Sequence, residues 1–185
     1  MLEEQTRTEY EDVPVRSEES GRTKEDRYSA ELDRAENFGD IFAIVKRSVE
    51  ESTGLKRAGL MLYLTELPMY LGAFHEVGGN AIVMNRMLLE QVQRSAATVR
   101  DANSFVYSIL LHEYLHSLGY IDEAAVRRAA RDISRQTFGD DHPATRMAYN
   151  PMGYFPWIQL SKTTIVGRNT TLVRDFDRTV QRYIV

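Results

Sequence analysis

The sequence contains no cysteine, so disulfide bonds, thiolate metal ligands and a cysteine nucleophile are excluded. Long apolar runs are also missing, because no stretch approaches the roughly 18 apolar residues of a membrane-spanning helix. The first thirty residues show no apolar segment of the kind that signal peptides carry. We therefore expect a soluble, cytoplasmic protein with no membrane partner, although a secreted chain whose signal had been removed would show the same pattern.

An excess of positive charge is missing as well. The formal net charge is −4 and the isoelectric point is about 5.6. Proteins that bind phosphate backbones are usually basic, so nucleic acid is not expected as a partner. Hydrophobic residues make up 43% of the 185 residues. That share is enough for a core, and the length suits one domain with an additional segment.

Residues 1–36 differ in composition from the rest of the chain. They hold twelve Asp and Glu against six Lys and Arg, with only scattered apolar residues. Such a composition is typical of a solvated arm. We predict an acidic N-terminal tail over residues 1–36, either flexible or lying over a cleft as an autoinhibitory segment. One domain is predicted to follow over residues 37–185.

The pattern of apolar residues after the tail predicts an α+β fold. Three strands are predicted, over residues 59–67, 70–75 and 81–85. Helices are predicted over residues 40–52, 86–97, 102–118, 122–137 and 170–183, with an irregular loop through Pro143, Pro151 and Pro156. We expect a small mixed three-stranded sheet packed on a backing helix and on the buried helix over residues 102–118, with a helical C-terminal part.

The predicted helix over residues 102–118 carries apolar residues on nearly every face, which indicates a buried helix. Its centre reads H-E-Y-L-H, an H-E-x-x-H motif. His112 and His116 lie one turn apart, so both imidazoles can bind one ion, whereas unpartnered imidazoles and a carboxylate would be costly to bury. We predict one catalytic zinc ion, with Glu113 as the general base that takes the proton of a zinc-activated water.

The motif continues through Gly119 to Asp122, giving H-E-x-x-H-x-x-G-x-x-D. In this form the sequence resembles the metzincin clan of zinc peptidases, whose snapalysin-like members carry Asp where the others carry a third His. The resemblance covers roughly residues 57–155 and implies a zincin-like fold. In that clan the glycine allows a sharp turn that returns the third ligand to the metal. The resemblance therefore implies a peptidase with Asp122 as the third zinc ligand.

The resemblance also extends to N-P-M-G-Y at residues 150–154. In the clan a methionine turn lies beneath the metal, and a tyrosine two residues later assists catalysis. By this likeness Met152 would lie below the zinc, and Tyr154 would donate a hydrogen bond to the developing oxyanion. A peptide or protein substrate would bind as an added strand along residues 70–75. His75 would then lie at the rim of the cleft, or it is an ordinary strand residue.

Alternatives remain open at the metal and for the function. Glu123 competes with Asp122, because the gluzincin group takes its third ligand from a Glu on a downstream helix. His142 could reach the metal from the loop, or it lies in a surface turn. The leading prediction is a zinc-dependent peptidase. Its alternatives are a zincin-fold binding or scaffold module with structural zinc, and a metal-dependent hydrolase of a non-peptide amide.

Overall fold

The computed structural model describes residues 22–155 and 169–178 of the chain. Within them lie seven helices, α1 (Lys24–Arg34), α2 (Phe38–Thr53), α3 (Arg86–Ser95), α4 (Val99–Ser117), α5 (Glu123–Phe138), α6 (Pro143–Tyr149) and α7 (Pro151–Tyr154). None of these helices is both long and apolar enough to cross a membrane. Four strands form one sheet, β1 (Met61–Thr65), β2 (Ala73–His75), β3 (Ala81–Asn85) and β4 (Thr171–Val173). The predicted α+β class is confirmed.

The sheet has the strand order β2-β3-β1-β4. β1 and β3 are parallel, with Met61 beside Ala81, while β2 runs antiparallel to β3 and β4 antiparallel to β1. The sheet is mixed as predicted, but the prediction of three strands is wrong because β4 adds a fourth. The sequence pattern assigns residues 171–173 to the final helix, since three residues are too few to show an alternating pattern. Residues 174–178 form turns and irregular structure and not the predicted helix, and the rest of that helix, from residue 179, lies outside the described residues.

α4 lies at the centre of the domain, as its apolar faces predict. Phe105 is 1% exposed and Leu115 is fully buried, and the helix contacts α1, α2, α3, α5, α6 and β2. Thr98 caps its first turn. Gly119, with a φ of 99°, turns the chain sharply just after the helix ends. The H-E-x-x-H residues are therefore carried on a helix that packing on all sides holds in place.

Residues 24–34 form helix α1, whereas composition predicts a tail there. Tyr28 is 6% exposed and Leu32 is fully buried in the core. Only a narrow face of α1 is apolar, so the average composition of the segment is that of a charged arm although one side of it packs. The domain thus begins before the predicted boundary. Residues 1–21 of the arm predicted over residues 1–36 lie outside the described residues.

The packing of α1 leads to a prediction about stability. We expect Leu32→Ala to lower the free energy of unfolding by about 2–5 kcal/mol, because it leaves a cavity at a fully buried site. Urea denaturation followed by circular dichroism measures the change. Leu55→Ala, at a side chain that is 43% exposed, is the control and should stay within about 0.5 kcal/mol of the parent. A loss no larger than that of the control would show that α1 does not belong to the cooperative core.

The segment predicted as an irregular loop contains two short helices, α6 and α7. Pro143 occupies the first turn of α6, where its missing N–H is not needed. His142 caps this helix by accepting the N–H of Ala144. Pro151 is likewise the first residue of α7. These two prolines therefore begin helices, and α6 packs against both α4 and α5.

Candidate metal centre

The side chains of His112, His116 and Glu123 converge on one point. Nε2 of His112 lies 3.2 Å from Nε2 of His116. The carboxylate oxygens of Glu123 lie 3.2 Å from the His116 nitrogen and 3.4 Å from the His112 nitrogen. The histidines come from successive turns of α4, and Glu123 is the first residue of α5. One helix and the start of the next therefore bring together three side chains that could hold a metal ion, and we call these three the candidate metal-binding group.

These separations fit a tetrahedral zinc site. At ligand distances of about 2.0–2.1 Å, two ligand atoms on a tetrahedral zinc ion are about 3.3–3.4 Å apart. The separation of the two imidazole nitrogens is close to this value, and each nitrogen lies at a similar distance from one of the two Glu123 oxygens. Within residues 22–155 and 169–178 the converging group has three members. Three protein ligands are typical of catalytic zinc, which keeps a fourth position for water or substrate, whereas structural zinc usually has four.

Hydrogen bonding prepares His116 for metal binding. Its Nδ1 lies 2.8 Å from the carbonyl oxygen of Tyr120, which the turn at Gly119 positions. A carbonyl oxygen can only accept, so Nδ1 carries the proton and Nε2 presents its lone pair. Burial lowers the pKa of His112, and this favours the neutral imidazole that a metal requires. His116 is therefore suited to bind a cation through Nε2, and the neutral His112 ring places its own Nε2 at 3.2 Å from that atom.

Glu113 lies beside the ligands without joining them. It is 6% exposed and lines the same cavity, but it is not one of the three converging groups. Burial and then the charge of Glu123 raise the pKa of Glu113 to about 8, and the backbone N–H of His75 on β2 offsets part of this rise. A divalent cation would stabilise this set of groups, since it favours the ionised form of both carboxylates.

The structure brings Glu123, and not Asp122, to the two imidazoles, which corrects the ligand set predicted from the sequence. Asp122 is the N-cap of α5, and its carboxylate accepts the N–H of Ala125 at 2.7 Å. Because capping uses the short Asp side chain, the longer side chain of the next residue reaches the histidines. The alternative that the sequence left open, a Glu at the start of a downstream helix, describes the observed group.

Tyr154 lies away from the metal-binding group. Its hydroxyl donates a hydrogen bond to Oδ1 of Asp101 at 3.0 Å, at the opposite end of α4 from the motif. The tyrosines that line the cavity are Tyr70 and Tyr149. The predicted role of Tyr154 as an oxyanion donor therefore does not fit its position. Met152 lies in α7, but its side chain is outside the described part of the structure, so its place beneath a metal stays a prediction.

The other two histidines are placed differently from the ligands. His142 is 7% exposed and stacks on Phe138, with ring centroids 4.6 Å apart. It is therefore neither in the metal-binding group nor in a surface turn. His75 lines the cavity, and its Nδ1 lies 2.9 Å from the carbonyl oxygen of Ala81. Of the two interpretations of His75, the structure favours the rim of the cleft.

The burial of His142 makes the fold sensitive to acid. Its Nδ1 accepts the N–H of Ala144 at 3.2 Å, so protonation would break the cap of α6. Burial lowers the pKa of His142 to about 4, and Arg100 contributes to the shift. In the unfolded chain a histidine takes up this proton near pH 6.5. Between about pH 6.5 and 4 the unfolded state therefore binds more protons, and stability falls as the pH falls.

We expect His142→Asn to weaken this pH dependence, because Asn keeps a capping acceptor and does not titrate. From pH 7 to 4.5 the variant should lose about 1–3 kcal/mol less of its free energy of unfolding than the parent loses. Urea unfolding at both pH values measures the difference. Asp141→Asn, which removes a fully exposed neighbouring carboxylate, should follow the parent. Equal losses in the parent and in His142→Asn would contradict the assignment.

A cavity of about 710 Å³ opens beside the converging groups, within the range of binding clefts. Its walls are residues 70–75 with Val77, one side of α4, Ile121 in the loop after α4, and the end of α6. Glu123 and Arg127 line it from α5. The metal-binding group is therefore open to a ligand of substantial size.

β2 lies at one edge of the sheet, and its hydrogen bonds define what that edge presents. The carbonyl of Gly72 accepts a bond from β3, so Gly72 and Phe74 direct their backbone groups toward β3. The backbone N–H and C=O groups of Ala73 and His75 point away from β3. The effect of the His75 N–H on the pKa of Glu113 agrees with this alternation. The N–H and C=O of Ala73 therefore form an open strand edge on the cavity side.

No family model, no curated protein and no solved structure matches this chain.

Proposed function

We propose that this chain is a zinc-dependent peptidase with a zincin-like fold. The observation that carries the proposal is the convergence of His112, His116 and Glu123. The two imidazole nitrogens lie 3.2 Å apart, and each lies 3.2 or 3.4 Å from one of the two Glu123 carboxylate oxygens. A buried Glu113 lies beside these three side chains, in a cavity that is open to solvent. A purely structural zinc site needs neither a buried carboxylate nor an open face, so these features favour catalysis over a scaffold role.

Each residue of the centre has a distinct task in this proposal. Zinc held by the three ligands would lower the pKa of a coordinated water toward ~7 and polarise a substrate carbonyl. Glu113 takes the proton of the attacking water and then delivers it to the leaving amine. The backbone N–H of His75 favours the ionised form of Glu113, which is the form that can take a proton. Glu113 is free to move protons because it is not one of the three ligands.

The substrate in this proposal is an extended segment of a peptide or protein, bound along residues 70–75. Ala73 offers one N–H and one C=O on the open edge of β2, and Glu113 lines the same cavity. An extended chain can add to such an edge as a further strand. Main-chain hydrogen bonds would then align the scissile peptide bond with the general base.

The proposed ligand set is compatible with zincins in general, because the site shares one feature with each of two zincin groups. The turn at Gly119 agrees with the metzincin resemblance. A Glu ligand from the helix that follows is the arrangement of the gluzincin group, here with a spacing of seven residues from His116 to Glu123. We therefore propose a small zincin that combines the metzincin turn with a helical Glu ligand.

Metal content and cleavage measured on the same preparation test the proposal. We expect about one zinc per chain, cleavage of a mixed peptide library, loss of cleavage with a chelator and its return with added zinc. Zinc bound without cleavage of any peptide would favour the scaffold module. Cleavage of small amides alone would favour the non-peptide hydrolase. Failure to bind zinc at equimolar concentration would contradict the metal centre.

A further inference from the structure

Exposed apolar side chains are concentrated around the cavity of the metal centre. Among the described residues, eight large apolar side chains are well exposed. Five of them line this cavity, namely Tyr70, Phe74, Val77, Ile121 and Tyr149. The other three lie singly on separate parts of the chain, at Leu55, Val99 and Leu172. Scattered apolar residues are ordinary on protein surfaces, whereas a group of them around one cavity indicates a binding surface.

These side chains are more exposed than folding alone would favour. Tyr70 and Val77 are each 73% exposed, Ile121 is 75% exposed and Tyr149 is 60% exposed. Apolar surface in water opposes folding, and a ligand in the cavity would remove it from water. A ligand that binds beside the metal-binding group therefore gains binding free energy by covering this apolar surface.

The cavity has few charged side chains, and each of them either belongs to the proposed chemistry or lies near an opposite charge. Glu113 and Glu123 belong to the proposed chemistry, and Arg127 lies 3.6 Å from the Glu123 carboxylate. Apart from histidines, the other described residues that line the cavity are apolar or uncharged. Ion pairing with the cavity therefore does not select the substrate side chain. Apolar contact is the remaining source of selectivity.

We propose that the cleft selects extended peptide segments with large apolar or aromatic side chains beside the scissile bond, and that Phe74 and Tyr149 determine this specificity. The inference rests on the proposed peptidase function and names its substrate class. Phe74 follows Ala73 on β2, so a substrate strand paired with Ala73 lies next to the Phe74 ring. Tyr149, at the end of α6, supplies a second apolar contact from a different part of the fold.

Cleavage of matched peptides tests the specificity. The peptides differ only at the residues that flank the scissile bond, which are Leu and Phe in one and Ser in the other. We expect kcat/KM to be at least about 10-fold higher for the apolar peptide. Phe74→Ser and Tyr149→Ser should each reduce this ratio by roughly 10-fold, while Leu172→Ser, an exposed apolar residue of β4 outside the cavity, should keep it. An unchanged ratio in both cavity variants would overturn the inference.

A binding measurement separates this inference from the proposed function. Fluorescence anisotropy follows both labelled peptides on the zinc-loaded Glu113→Gln protein, which is expected to bind without cleaving. If the parent cleaves nothing while the apolar peptide binds in preference, the peptidase proposal fails and the specificity stands. If the parent cleaves peptides and prefers Ser or charged residues, the specificity fails and the peptidase proposal stands.

Discussion

Glu113→Gln is expected to lower kcat by about 10²- to 10⁴-fold while the protein keeps its zinc. The size of the effect is that of losing a general acid–base group, because an amide of the same shape cannot take a proton from water. Zinc stays because Glu113 is not among the three converging ligands. The amide has the same shape as the carboxylate and keeps an acceptor oxygen, so the site should keep its shape. Steady-state kinetics and metal analysis on one sample measure both properties.

The matched control is Glu76→Gln, which changes an exposed glutamate directly after β2. This variant removes a negative charge near the cleft but not a group in the cavity lining, so its kcat should equal that of the parent. Parental turnover by Glu113→Gln would show that another group is the base. Loss of zinc from Glu113→Gln would show that the side chain binds the metal directly, and the proposed division between base and ligands would be wrong.

The part of the centre carried on α4 could be predicted from the sequence because the helix itself fixes it. His112 and His116 lie one turn apart in any helix, whatever the helix packs against. The burial of α4 can also be predicted from the sequence, since a helix that is apolar on all sides has to lie inside the fold. Local periodicity therefore determined these positions without knowledge of the tertiary structure.

The third member of the metal-binding group depends on where α5 begins. Asp122 and Glu123 are adjacent, and the ends of helices are defined only to within one or two residues. The preference of Asp for the N-cap position was the sequence signal that favours Glu123, because a capping carboxylate already has a partner. The likeness to the metzincin motif favours Asp122 instead, because that likeness concerns the spacing of the ligands and not the capping of the helix.

Residues placed by long-range packing could not be inferred from spacing. Tyr154 and His142 take their positions from α6 and α7, which pack against α4 after a long intervening segment. β4 consists of three residues that pair with β1 from more than a hundred residues away, and so short a strand has no periodicity of its own. The packing of α1 cannot be predicted from composition for a related reason. Its two buried residues, Tyr28 and Leu32, lie among charged neighbours that dominate the average composition.

Glu123→Gln is expected to weaken zinc binding by about 100-fold or more. The variant replaces an anionic oxygen ligand by a neutral amide of the same shape, and loss of even an outer hydrogen-bonding partner typically weakens metal binding by about 10–100-fold. Competition with a chromogenic chelator measures the zinc Kd. Peptide cleavage should fall in parallel at limiting zinc and recover in part at saturating zinc, because Glu113 and both histidines remain.

Asp122→Asn is the control that separates the two ligand assignments. Asn is also a good N-cap, so the start of α5 should be kept, and the zinc Kd should stay within about threefold of the parent. If instead Asp122→Asn releases the zinc and Glu123→Gln retains it, the ligand set is the one that the metzincin resemblance implies. Asp122 would then have to give up the N–H of Ala125 when the metal binds, so the first turn of α5 would unwind in the zinc-bound state.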